Sequence, residues 1–131
     1  MRKKLVIIGL LIFIFLVGCR KPEKTYKQIS QDEAARMMKR DDGHIIVDVR
    51  REDEFNSGHI PGAICIPNEF ISDIQPEELP DLKQIILIYC RSGNRSKQAA
   101  EKLAKMGYEN VYEFGGIIDW TGEIIVPEND D

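Results

Sequence analysis

Apolar and polar positions divide the chain into short blocks. Residues 5–17 are an apolar run interrupted only by Gly9. Ile45-Ile46-Val47 and Ile85-Ile86-Leu87-Ile88-Tyr89 show no polar alternation, the pattern of strands covered on both faces of a parallel sheet. Parallel strands need crossover connections, usually helical. Residues 95–106 fit one, with Ala99, Ala100, Leu103 and Ala104 on one side and Lys97, Glu101 and Lys105 spaced i,i+4 on the other,. Gly107 is placed to end that helix,. Ser30-Gln31-Asp32-Glu33 reads as a capping box, the Ser30 hydroxyl capping a helix and Glu33 reaching back, with the helix continuing through residues 34–40,. Residues 63–66 and 111–114 are two further strand candidates. Strands alternating with helices predict an α/β sheet.

The first apolar run has a separate meaning. Arg2, Lys3 and Lys4 precede it, and its 13 residues are short for a bilayer core, which takes about 20 in a helix, but suit the apolar stretch of an export signal. It closes with Leu16-Val17-Gly18-Cys19, which resembles the lipobox of bacterial lipoproteins, cut before the Cys whose thiol then carries a diacylglyceryl group. The expected organisation is therefore a signal peptide at 1–18, lipidated Cys19 with a polar linker at 19–25, one domain at 26–126 and an acidic tail at 127–131. Multiple acylation would hold the protein at the extracytoplasmic face of a bacterial membrane. Some 110 residues after the anchor suffice for about one hydrophobic core.

Charge narrows the partners. Of 18 Lys+Arg, loss of Arg2, Lys3 and Lys4 leaves 15 against 22 Asp+Glu, a net charge of −7, which argues against nucleic acid as a partner. Arg20, Lys21, Lys24 and Lys27 cluster beside the lipidated end, either against anionic headgroups or as a solvated linker. With Cys19 taken by lipid, Cys65 and Cys90 remain, too few for a disulfide framework.

The segment Tyr89-Cys90-Arg91-Ser92-Gly93-Asn94-Arg95-Ser96 lies between the most apolar strand candidate and the best helix. Ligands of open α/β sheets bind beyond the carboxyl ends of strands, where a helix N-terminus offers N–H groups to an anion. A sulfur at that point has its negative charge favoured by the helix end and by Arg91 and Arg95, with no acid in the segment, which makes Cys90 a candidate nucleophile. Gly93 can take positive φ and Asn94 tolerates it, so successive N–H groups can turn inward. The plainer alternative is a buried strand-end Cys followed by a polar turn.

These residues resemble the rhodanese family. Its pattern C-x-S-G-x-R-S appears as Cys90, Ser92, Gly93, Arg95 and Ser96. Asp48-Val49-Arg50, Glu54-Phe55 and Gly58-His59-Ile60-Pro61-Gly62-Ala63 follow its upstream signature in order and spacing, and Gly115-Gly116 with Trp120 matches a downstream element. The likeness covers residues 26–126. It implies an open, mostly parallel five-stranded sheet with helices on both faces, and a single-domain sulfurtransferase. In that family Cys90 would attack a small anionic donor such as thiosulfate, carry the sulfur as a persulfide and pass it to a thiol or cyanide acceptor.

On the same resemblance, Arg91, Ser92, Gly93, Asn94, Arg95 and Ser96 form an anion cradle in which Arg95 stabilises charge, and Arg91 either binds substrate or faces solvent. Asp48, Arg50 and His59 are read as structural support and Trp120 as packing. No cofactor or metal is implied, and a monomer is expected. Cys90 to Arg95 spans six residues, as in sulfurtransferases, whereas related Cys-dependent phosphatases use a loop one residue longer. Two alternatives stay open: a Cys-dependent phosphatase or arsenate reductase, and a non-catalytic binding module. Cys65 stands where the family often has Asn; it could act as a resolving thiol if its Cα came within about 7 Å of that of Cys90.

Overall fold

The computed structural model describes Gly18 and residues 25–128. The proposed signal peptide through Val17, lipidation at Cys19 and residues 129–131 of the tail lie outside the described residues. No helix among the described residues is long and apolar enough to cross a membrane.

Five strands, β1 (Lys27–Gln28), β2 (Ile45–Asp48), β3 (Ala63–Cys65), β4 (Ile85–Cys90) and β5 (Asn110–Gly116), form one sheet in the order β1-β5-β4-β2-β3. Every pairing within it is parallel. The two apolar runs become the central strands β2 and β4, and residues 86–90 are buried throughout, as strands covered on both faces must be. β1 has no apolar signature; its pairing with Tyr112 and Glu113 of β5 defines it.

Helices α1 (Gln31–Met38), α2 (Glu52–Asn56) and α3 (Asn94–Met106) complete the domain. Alternation along the strands splits the core in two. On one face Val47, Ile86, Ile88 and Cys90 meet Ala99, Ala100 and Leu103 of α3; on the other Ile46, Leu87, Tyr89 and Phe114 meet Ala34 and Met37 of α1. Gly107 closes α3 with φ +107°. Ser30 caps α1, its hydroxyl accepting from Glu33 N–H at 3.1 Å, but Glu33 does not reach back. Its carboxylate instead takes two bonds from the Arg36 guanidinium at 3.0 and 2.7 Å, a fork that a single backbone N–H cannot offer. Of the spaced charges on α3, Glu101 and Lys105 pair at 3.1 Å.

The chain runs outward from β2 to β3 on one side and from β4 to β5 on the other. The carboxyl ends of β2 and β4 therefore flank the point where the winding reverses, the usual position of a ligand crevice in such sheets. Asp48 ends β2 and Cys90 ends β4.

Candidate functional site

Cys90 leaves β4 where the register against β5 shifts, so that it pairs with Gly116. Three residues later Gly93, at φ +108°, turns the chain into α3. That conformation is easy only without a Cβ; Asn94, which would tolerate it, is helical, and no residue other than glycine has positive φ among the described residues. The turn aims the Gly93 N–H at the sulfur, with N···Sγ 3.0 Å. Asn94, Arg95 and Ser96 open the helix, where N–H groups lack intrahelical partners and favour anions.

Close packing under the loop depends on Gly116. A Cβ there would meet the Arg91 carbonyl and stand 2.6 Å from Ser92 Cα. The contact is backbone against backbone and has no flexible side chain to give way. Ile118 N–H donates to the same Arg91 carbonyl at 3.2 Å, and the Gln31 side chain donates to Gly116 O at 2.8 Å. The loop is thus held by the turn that follows β5, and α1 in turn holds the end of β5.

Arg95 lines the same surface hollow as Arg91 but is already paired. Its Nη1 and Nη2 donate to Glu54 Oε1 and Oε2 at 2.6 and 3.0 Å, a fork that ties α3 to α2. The Arg95 guanidinium beside it holds the Glu54 carboxyl down at about 2, despite partial burial. Arg95 is first a brace, and its charge is shared with a carboxylate before any substrate arrives. Glu54 belongs to the matched Glu-Phe pair, but its partner lies 41 residues away and local spacing carries no sign of it.

Ser96 is fully buried and lies behind the sulfur instead of in an anion cradle. Its Oγ is 3.3 Å from Cys90 Sγ and 2.8 Å from Oε1 of Glu113. Glu113, 2% exposed, comes from β5. The Cys90 loop contains no acid, as its sequence says, but the fold supplies one. The available signal was a carboxylate at an inward strand position, in phase with Val111 two residues earlier.

The supporting residues form a separate cluster. Asp48 Oδ2 accepts from Arg50 Nη2 at 2.8 Å, and the same nitrogen donates to Gly58 O at 2.7 Å. Tyr89, whose hydroxyl accepts the Ile60 N–H at 3.1 Å, is pushed up by burial. His59 stacks on Phe55 at 3.8 Å and exchanges backbone bonds with Ile125, away from the sulfur. Trp120 packs against Phe114 with centroids 5.8 Å apart. A surface hollow beside the loop is lined by Arg50, Arg51, Glu54, Arg91, Arg95 and the apolar pair Ile117-Ile118. Arg91 is exposed and makes no ion pair among the described residues.

Cys65 is not brought to Cys90. In register it pairs with Asp48, which pairs with Tyr89, so two strand spacings, about 10 Å, separate it from β4. Alternation also sets it on the opposite face: Ala63 lies in the α1-side core with Tyr89, whereas Cys90 lies in the α3-side core. Its thiol reaches the Arg50 carbonyl at 3.5 Å, and burial, then the charge of Asp48, pushes it up to about 11. It has neither the reach nor the acidity of a resolving thiol.

Comparison with known proteins agrees with this geometry. A thiosulfate sulfurtransferase PspE of Escherichia coli is 36% identical over 73 residues, 56% of this chain and 70% of that protein. A thiosulfate sulfurtransferase GlpE of Pseudomonas syringae is 34% identical over 91 residues, 70% of this chain and 82% of its own. A rhodanese-like domain protein from Staphylococcus aureus superposes with TM-score 0.67 at 31% identity, covering 78% of this chain and 99% of that one. With its parallel five-stranded sheet and the match of residues 30–123 to the rhodanese-like domain, the chain belongs to the rhodanese-like family.

Proposed function

We propose that the protein is a sulfurtransferase that moves a sulfane sulfur from thiosulfate, or a similar small anionic donor, to a thiol or cyanide acceptor through a persulfide on Cys90. The observation that carries this is the placement of Cys90 Sγ at the carboxyl end of β4 and the N-terminus of α3, held by the Gly93 N–H at 3.0 Å and followed directly in the loop by the exposed Arg91. The names of the PspE and GlpE relatives support the donor class.

In this reading the Cys90 thiolate attacks the outer sulfur of thiosulfate. A Cys–S bond forms, the sulfur–sulfur bond of the donor breaks, and its electron pair leaves with sulfite. Both reactants are anions, so the helix end and the arginines offset their repulsion. An acceptor thiolate or cyanide then takes the outer sulfur and returns the Cys90 thiolate. Arg91 is the cation best placed for the donor, because Arg95 is already engaged by Glu54.

Sulfite release from thiosulfate, with cyanide as acceptor, tests the activity. Intact mass should show one added sulfur on the Cys90 peptide after excess donor is removed, discharged by cyanide. Absence of sulfite and adduct with several donors would leave a binding module as the better reading. Lipid anchoring through Cys19 at an extracytoplasmic membrane face is part of the same proposal, supported by the basic n-region, the apolar run and Gly18-Cys19,.

A further inference from the structure

Behind the sulfur a buried hydrogen-bonded chain runs from Cys90 through Ser96 to Glu113. Ser96 Oγ has four neighbours: Cys90 Sγ at 3.3 Å, Glu113 Oε1 at 2.8 Å, Gly93 O at 3.0 Å and Gly115 O at 3.4 Å. A hydroxyl has one proton to give and two lone pairs to receive. The three oxygens only accept, so the proton goes to one of them, the carboxylate being nearest and charged. The thiol is then the neighbour with a proton to offer the hydroxyl, and the chain is oriented S–H to O–H to carboxylate.

The surroundings of Glu113 define its charge. Its Oε1 also accepts from Gly115 N–H at 2.8 Å, and its Oε2 from the Gln28 amide at 3.4 Å. Every neighbour is thus a donor, which suits an ionised carboxylate. Yet the group is 2% exposed and has no cation paired with it among the described residues. A buried charge without a counter-ion is unfavourable, and taking up a proton relieves it. The titratable groups facing Glu113 are Cys90 on β4 and Tyr26 ahead of β1, the latter pushed up by burial and then by the charges of Glu113 and Glu101. The Arg95 guanidinium is held by Glu54, and His59 lies with Phe55.

We propose that Glu113, acting through the Ser96 hydroxyl, accepts the thiol proton of Cys90 when the sulfur becomes a nucleophile. The S–H bond breaks as its proton passes to Ser96 Oγ, while the Ser96 O–H bond breaks as that proton passes to Glu113 Oε1. The products are a thiolate, a hydroxyl now donating to it and a neutral carboxyl; total charge is unchanged and no co-reactant is needed. Ser96 touches the reacting sulfur, and Glu113 is the positioning residue behind it. The proposal rests on Cys90 being the nucleophile of the reading above, but its test needs no sulfur donor.

The test is the pH dependence of labelling of the Cys90 peptide by iodoacetamide, a neutral reagent, between about pH 4 and pH 10. A thiol sharing one proton with a carboxylate titrates as a coupled pair. The unmodified chain should show two inflections with a plateau between them, where an uncoupled thiol gives one. Glu113→Gln and Ser96→Ala should each abolish the plateau and leave one inflection, while thermal unfolding shows the fold retained. A merely structural Glu113 would not produce the plateau. A single inflection in the unmodified chain, or a plateau surviving in Glu113→Gln, overturns the proposal; if Glu113→Gln does not fold, Ser96→Ala decides in the same way. A plateau without sulfite release from thiosulfate would sustain the relay and defeat the sulfurtransferase reading, and the converse result would do the reverse.

Discussion

Replacing Glu54 by Gln removes the charge that Arg95 grips while keeping the shape of the side chain. The fork is tight, 2.6 and 3.0 Å, with the Glu54 side chain 16% and that of Arg95 32% exposed. The carboxyl is lowered to about 2 from 4.5, a difference that would convert to about 3–4 kcal/mol at ~1.4 kcal/mol per unit. Water reaches the Arg95 half of the pair and screens it, so the expected loss is about 1–2 kcal/mol at neutral pH. The carboxyl titrates lower in the folded chain than in the unfolded one. The pair's contribution is therefore complete above the unfolded value of about 4.5, fades as pH falls, and is gone below about 2,. Urea unfolding of both proteins at a series of pH values should show a gap that is constant from neutral to mildly acid conditions and closes toward pH 2. Thiosulfate should at the same time bind more tightly to the variant, seen as a lower KM, because Arg95 is released from its internal carboxylate. A gap that persists undiminished at pH 2 would mean that the packing of Glu54, and not its charge, was lost. No gap at neutral pH would mean that the fork does not brace α2 on α3.

Gly116→Ala should abolish persulfide formation and destabilise the domain by about 2 kcal/mol or more, since a backbone must move to admit the methyl group,; thermal unfolding and the mass of the Cys90 peptide report the two effects. Cys90→Ser should lose all sulfur transfer and Cys65→Ser almost none, because Cys65 faces the other side of the sheet; a sulfur adduct on Cys65 would contradict the register argument. Arg50→Met leaves the fully buried Asp48 without its fork and should cost about 3 kcal/mol or more in urea unfolding,, whereas Asp48→Asn with Arg50→Met should recover part of that loss. Cys19→Ala should abolish incorporation of labelled fatty acid while purified protein keeps its sulfite-forming activity; label on the variant would exclude Cys19 as the acyl acceptor.

Local chemistry in the chain was enough to determine the central strands, α3 with its glycine stop, the Ser30 cap, and the position of Cys90 between strand and helix. Each of these depends on neighbours within a few residues: apolar runs without alternation, a helical apolar stripe, a hydroxyl placed to meet a free N–H. Even the capping box was legible only by half, because Glu33 had a nearby arginine that outcompeted the backbone. What surrounds the sulfur was decided by tertiary structure. Glu54 meets Arg95 from 41 residues away and Glu113 meets Ser96 from 17, so a loop that reads as purely cationic is neutralised at one arginine and backed by a buried acid. Cys65 was left open by its spacing and settled by strand order and the two-residue period of side chains. β1 exists because β5 offers an edge to two residues with no strand pattern of their own. Spacing along a chain specifies which face of an element is apolar, but which charge meets which depends on sheet order and register, and those follow only when the elements pack around a common core.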